Sequence, residues 1–222
     1  MGMAARPAGR SYHQYCAVAK GLDVVGDRWT LLLVRDLLLG PKRYKDLLAG
    51  LPGIGTNLLA ARLRDLEAHG LVERGLLPPP AGSAVYRLTE AGAALEPVVL
   101  ALGRWGSRYL GPRDGADDHL VGPYFVAMRA TFRPEPGDAT RATWEFRVDG
   151  RVFEVRVDGT ECSTREASAD RPDAVMTMDV LTLNALMARR LPADEAVRSG
   201  RVRLDGDPDA LRRFVQLFVF RH

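Results

Sequence analysis

Thr56-Asn57-Leu58-Leu59-Ala60-Ala61-Arg62-Leu63-Arg64-Asp65-Leu66-Glu67-Ala68-His69, followed by Gly70, is the stretch on which the reading of the chain turns. Leu59, Leu63 and Leu66 recur at helical spacing and form one apolar stripe, with Thr56 placed to cap a helix through its hydroxyl and Gly70 to stop it. A 100° step per residue puts Asn57, Ala61 and Arg64 opposite that stripe, with Thr56 and Ala60 at its side. One face is made to be buried, and the other is small and polar.

Upstream, residues 44–49 read as a short helix closed by the turn Gly50-Leu51-Pro52-Gly53. Before it, Trp29, Leu32 and Leu33 belong to a helix over 29–39 that Asp27 is placed to cap and Gly40-Pro41 to end. Val18, Leu22 and Val25 mark a first helix over 15–26. Downstream, 71–74 and 84–88 are short β-prone runs separated by a Pro, Gly and Ser-rich stretch, a hairpin with a long loop. Thr89 then opens a helix to residue 109, which Pro97 either kinks or starts.

Two short helices joined by a tight turn and followed by a two-stranded wing are an arrangement in which the second helix enters the DNA major groove. Ala60 and Ala61 let the backbone approach the bases, Asn57 can pair with an adenine edge, and Arg64 can reach a guanine or a phosphate. Lys42, Arg43 and Lys45 would neutralise phosphates and fix the register. The wing tip, 76–83, has no Lys or Arg, so a minor-groove contact falls to Arg74 or Arg87 at its base. Singly, Arg62 and Arg64 read as solvated helix residues and 42–45 as an exposed turn; the order is what points to DNA. Charge agrees: the whole chain is +3, but residues 1–113 carry 15 basic and 9 acidic side chains and the remainder 16 and 19.

Tyr15-Cys16, Leu22-Asp23-Val24-Val25-Gly26-Asp27-Arg28-Trp29-Thr30-Leu31-Leu32, Arg43-Tyr44, Leu51-Pro52-Gly53-Ile54, Leu63-Arg64-Asp65-Leu66-Glu67, Gly70-Leu71-Val72 and Tyr86-Arg87-Leu88-Thr89-Glu90-Ala91-Gly92 together resemble the signature of HxlR-type regulators, relatives of the MarR class. The resemblance implies a homodimer, held by the first helix and the 89–109 helix, on an inverted-repeat operator of double-stranded DNA with one recognition helix per half-site. Some members of that family sense oxidants through a cysteine near the amino terminus, which makes Cys16 a candidate redox sensor. A small residue buried at the dimer interface is the other reading of Cys16, and Ala17 departs from the family's Cys-Pro.

After Gly111-Pro112-Arg113-Asp114-Gly115, a linker by composition, the text changes character. A helix over 119–131 is followed by Trp144, Phe146 and Val148 alternating with polar residues, then Asp149-Gly150, then alternation over 152–157, which is a hairpin with a tight turn. A strand near 175–178, helices near 181–190 and 194–198, a strand over 202–204 and a helix over 208–220 complete the chain. This order, with 179–183, 196–204 and 205–208, resembles the sterol-carrier-protein fold, helices over a mixed sheet. By that likeness Phe125, Met128, Phe132, Trp144, Phe146, Met176, Met178, Leu186, Met187, Phe214 and Phe218 would line an apolar ligand site, although such residues are also ordinary core.

The expected fold is therefore α+β, with a winged helix-turn-helix domain over 1–110 and a sterol-carrier-like domain over 117–222. Apolar residues at 46% and charged residues at 27% place the chain among globular proteins rather than disordered ones. No apolar run reaches the roughly 18 residues a bilayer needs, and 1–15 lacks a signal-peptide core, so a cytoplasmic location without membrane attachment is expected. Cys16 and Cys162 are far apart, the four histidines are scattered, and no catalytic set or phosphate loop is present, so no enzyme activity, metal or cofactor is expected. Three functions remain: a repressor whose carboxy-terminal domain senses an apolar small-molecule effector, a lipid carrier or scavenger whose amino-terminal half only dimerises, and a purely redox switch through Cys16.

Overall fold

The computed structural model describes residues 11–77, 82–110, 120–134 and 140–218. The linker at 111–115 and most of the wing loop lie outside them. The chain divides into two compact units between Val99 and Leu100.

In the first unit, α1 (Ala17–Val25), α2 (Thr30–Leu37), α3 (Tyr44–Gly50) and α4 (Thr56–Ala68) precede the hairpin β1 (Val72–Leu76) and β2 (Ala84–Leu88). Leu33, Val34 and Leu37 from α2, Leu47 from α3, Leu59, Leu63 and Leu66 from α4, and Leu71 and Val72 at the wing root form one buried cluster. The stripe expected of α4 is thus the one it buries. Two caps differ from expectation. Thr56 is the first helical residue and Gly55 the cap, with no side-chain cap bond. Asp27 does not cap α2 either: the cap position is Trp29, whose φ of 80° is left-handed. A bulky residue there costs on the order of 1–3 kcal/mol and persists only where its surroundings hold it.

The helix expected over 89–109 is two helices, α5 (Glu90–Ala93) and α6 (Glu96–Gly106), then a 3-10 turn, Ser107–Tyr109. Pro97 sits in the first turn of α6, where its missing N–H costs nothing. Thr89 joins three elements. Its N–H donates to Leu71 O at 3.0 Å, its hydroxyl donates to Gly70 O at 2.6 Å, and its Oγ1 accepts from Gly92 N at 3.1 Å. Gly92 is pressed so close to Leu71 that a Cβ there would lie 2.0 Å from the Leu71 carbonyl oxygen.

The second unit contains a five-stranded mixed sheet in the order β5-β4-β3-β6-β7. β3 (Arg141–Val148) and β4 (Arg151–Asp158) are antiparallel across Asp149-Gly150, whose φ values of 48° and 76° suit a two-residue turn of the primed type. β6 (Ala174–Met178) runs parallel to β3, and β7 (Arg203–Gly206) antiparallel to β6. β5 (Glu161–Arg165) was not legible as a strand, because its only buried residue is Thr164. Helices α7 (Gly122–Thr131), α8 (Val180–Met187), α9 (Ala193–Arg198) and α10 (Ala210–Leu217) complete the unit. Arg129 of α7 donates to Thr164 Oγ1 at 2.8 Å, and the Thr164 hydroxyl donates to Phe125 O at 2.8 Å, which ties α7 to the polar edge strand. At the entry to α10 the Asp209 N–H and the Arg213 guanidinium hold the Asp207 carboxyl below the ordinary carboxylate range.

Replacing Gly92 by Ala forces its backbone away from Leu71. We expect Gly92→Ala to destabilise the amino-terminal unit by about 2 kcal/mol or more, read as a lower urea midpoint at unchanged slope. An unchanged midpoint would show that the contact yields freely.

Candidate nucleic-acid interface

The face of α4 opposite its buried stripe is open: Thr56, Asn57 and Arg64 are exposed, and Ala60 and Ala61 are half-buried. Two contacts fix how α4 is presented. The Tyr44 hydroxyl of α3 donates to Thr56 O at 2.6 Å, which joins the two helices at the start of α4. On the flank of α4, the Arg62 guanidinium donates through Nη1 to Asp27, and to Asp65 at 2.8 Å. Arg62 is therefore not a solvated helix residue but an anchor between α4 and the corner before α2. Helical geometry placed it beside Asp65, but nothing local in the sequence pointed to Asp27.

The basic residues expected around α4 divide into three kinds. Lys45 is exposed and Arg43 half-buried at the start of α3, where the Arg43 N–H donates to the Asp46 carboxylate at 3.2 Å. Lys42 departs from the expectation of an exposed turn: it is buried, and its backbone exchanges hydrogen bonds of 2.9 and 2.8 Å with Tyr86, adding a bridge to the wing. At the wing base, Arg74 donates to both Glu67 oxygens, at 2.7 and 3.2 Å, and Arg87 to Glu73 at 2.7 Å. The hydrogen bond to Glu67 pushes the Arg74 pKa further up. Each wing guanidinium thus already has a carboxylate partner.

A cleft of about 340 Å³ lies on the same flank of α4, lined by Asp27, Arg28, Trp29, Gly53, Leu58 and Arg62. The sequence reading did not single it out, and the left-handed backbone of Trp29 on its wall left no local signal.

In the second unit the residues expected to line a ligand site are all buried, and the aromatic ones among them lie against one another. Phe125 stacks on Phe153 with centroids 4.0 Å apart, and Phe146, Phe214 and Phe218 follow at 4.7 and 4.8 Å. Trp144 meets Phe214 edge-on and Phe132 meets Phe218. Met128, Met176, Met178, Leu186 and Met187 belong to the same unit's buried residues. Two polar atoms of this unit, Trp144 Nε1 and Thr182 Oγ1, are buried with no hydrogen-bond partner among the described residues.

Cys16 is exposed at the cap of α1 rather than buried in this single chain. Among the described residues there is no cluster of three or more potential metal ligands, and no helix is long and apolar enough to cross a membrane.

Comparison with known proteins divides the chain in the same way. Residues 24–114 match the HxlR-like helix-turn-helix family model. Residues 137–220 match a model described as Alkyl sulfatase C-terminal, a match that does not confirm the sterol-carrier-like reading of this half. The HTH-type transcriptional regulator sll1512 of Synechocystis sp. is 36% identical over 95 residues, 43% of this chain and 70% of the relative. The HTH-type transcriptional regulator YodB of Bacillus subtilis is 37% identical over 92 residues, 41% of this chain and 82% of YodB. An HTH-type transcriptional regulator of Mycobacterium bovis, Mb3122, is 34% identical over 143 residues, 57% of this chain and 89% of the relative. With a wing, a bare face on α4 and these relatives spanned over most of their length, the chain belongs to the HxlR-like helix-turn-helix family.

Proposed function

We propose that this protein is a DNA-binding transcription regulator, a repressor acting as a homodimer on an inverted-repeat operator, with the carboxy-terminal unit as the input domain for an apolar small molecule. The observation that carries the DNA-binding reading is the division of α4 between a stripe of three buried leucines and a face on which Thr56, Asn57 and Arg64 are exposed and Ala60 and Ala61 half-buried. Asn57 and Arg64 suit base edges, and Arg43 and Lys45 suit phosphates. Arg74 and Arg87 would reach DNA only by sharing or leaving their carboxylates.

Specific binding to an operator duplex should fall steeply with salt, because phosphate neutralisation releases counterions. Arg64→Ala should cost about 1–3 kcal/mol, roughly 5- to 150-fold in affinity, and relax sequence preference at one position of each half-site. Absence of any duplex binding at low salt would instead favour a carrier whose first unit only dimerises.

The dimer reading rests on unpartnered apolar stripes. Tyr15, Val18 and Leu22 are exposed on and just before α1, and Val98, Leu102, Trp105 and Tyr109 are exposed along α6 and the turn after it. No residue of α6 is buried, which for a helix this apolar asks for a partner surface. Trp105→Glu should yield a monomer in sedimentation, with operator affinity lowered by loss of simultaneous half-site engagement. A Trp105→Glu protein that remains dimeric would place the interface elsewhere.

For the input domain, the support is the pair of orphaned polar atoms, Trp144 Nε1 and Thr182 Oγ1, in a core rich in methionine. Buried polar groups are rarely left without partners, and Met repacks easily around a guest. The sterol-carrier-like arrangement of helices and mixed sheet belongs to this proposal. Decanoate at a hundredfold excess over its Kd should stabilise the protein by about 2.7 kcal/mol. No thermal shift with decanoate, together with no lipid co-purifying by native mass spectrometry, would remove the sensor role.

A further inference from the structure

The wing is tied to α4 at two points. At its root, Thr89 joins Gly70, Leu71 and Gly92. Three residues further along β1, Arg74 reaches back to the last turn of α4 and donates Nε and Nη2 to the two Glu67 oxygens at 2.7 and 3.2 Å. The same guanidinium lies over the Tyr86 ring, 5.5 Å from its centroid. Tyr86 is the register partner of Arg74 on β2 and packs against the buried cluster of α2, α3 and α4.

From this layering we infer that Arg74 is a positioning residue, which holds the wing at a fixed angle to α4 and makes no contact with DNA itself. The inference rests on the DNA-binding reading given above and adds to it a division of labour between the two wing arginines.

The contacts close a circuit. The Tyr86 backbone exchanges hydrogen bonds with Lys42, and Tyr44 just beyond it reaches Thr56 O at the start of α4. Arg74 returns from the wing to Glu67 at the end of the same helix. Both ends of α4 are thereby referred to one strand pair. A guanidinium bonded to a carboxylate through two nitrogens has a set direction as well as an energy, and stacking on a ring packed against the core keeps the fork in one plane. A strand advances about 3.3 Å per residue, so Arg74 stands about 10 Å beyond Leu71, where a small rotation about the root becomes a displacement against the groove. Arg87 differs. Its carboxylate, Glu73, is its cross-strand neighbour, so that pair links the hairpin only to itself and leaves Arg87 as the wing cation for a phosphate.

The test uses the full chain and the duplex it enriches from a random-sequence library. Glu67→Gln removes a negative charge near DNA, which by charge alone would tighten binding; as loss of the strut it should weaken binding about fivefold. Arg74→Lys keeps the charge but loses the fork and should cost as much, with Glu67→Gln adding nothing in the double variant. Arg74→Ala should leave the dependence of log affinity on log salt unchanged, whereas Arg87→Ala should make that slope shallower by about 0.9. Urea midpoints should hold throughout, because an exposed ion pair contributes little to folding. Unchanged or tighter binding by Glu67→Gln, full binding by Arg74→Lys, a slope made shallower by Arg74→Ala, or a urea midpoint that falls with the affinity overturns the positioning role and leaves the DNA-binding reading standing. A library from which no duplex is enriched overturns both.

Discussion

The amino-terminal unit depends on α4 being held by one side only. Leu59, Leu63 and Leu66 are each almost wholly removed from water, worth about 1.5–3 kcal/mol apiece before the entropy of ordering them. Against a net domain stability of about 5–15 kcal/mol, no one of them is dispensable. Because the helix is fixed through that stripe, its other face needs no contact to be rigid, and a rigid bare helix is what a groove-reading surface requires. The Tyr44 hydroxyl at its start and the Arg62 ion pairs on its flank add direction to what the leucines supply as adhesion.

Periodicity carried most of this. The stripe, the hairpin register and the Asp149-Gly150 turn follow from spacing and from residues with one conformational use. What escaped depended on partners distant in sequence. Asp27 looks like a cap, yet its carboxylate is taken by Arg62, 35 positions away, and the chain enters α2 through a left-handed Trp29 that no propensity favours. Lys42 looks solvated, but its backbone is recruited by Tyr86, and a bridge to a strand 44 residues on has no local signature. β5 carries no apolar alternation, since its outer edge is polar and only Thr164 turns inward. The exposed face of α4 was visible from helical angles alone; the cleft beside it was not, because its walls come from separate stretches of chain, 27–29, Gly53, and Leu58 and Arg62 of α4.

The second unit shows the opposite limit. Its aromatic residues were easy to find and their gathering into one body was expected, but composition does not distinguish a packed interior from a lined cavity. The rings stack at van der Waals distance, so a guest would have to displace side chains rather than occupy a vacancy. Methionine, unbranched and polarizable, is the residue best able to yield in that way.

The triple attachment of Thr89 has a mechanical consequence. One side chain and its own N–H grip the corner leaving α4, the first residue of the wing and the turn of α5, and the absent side chain of Gly92 lets these backbones touch. Such a joint has almost no play. A torque applied to α5 is delivered to the wing root without being absorbed by bending, so the wing behaves as a lever with its fulcrum at Thr89.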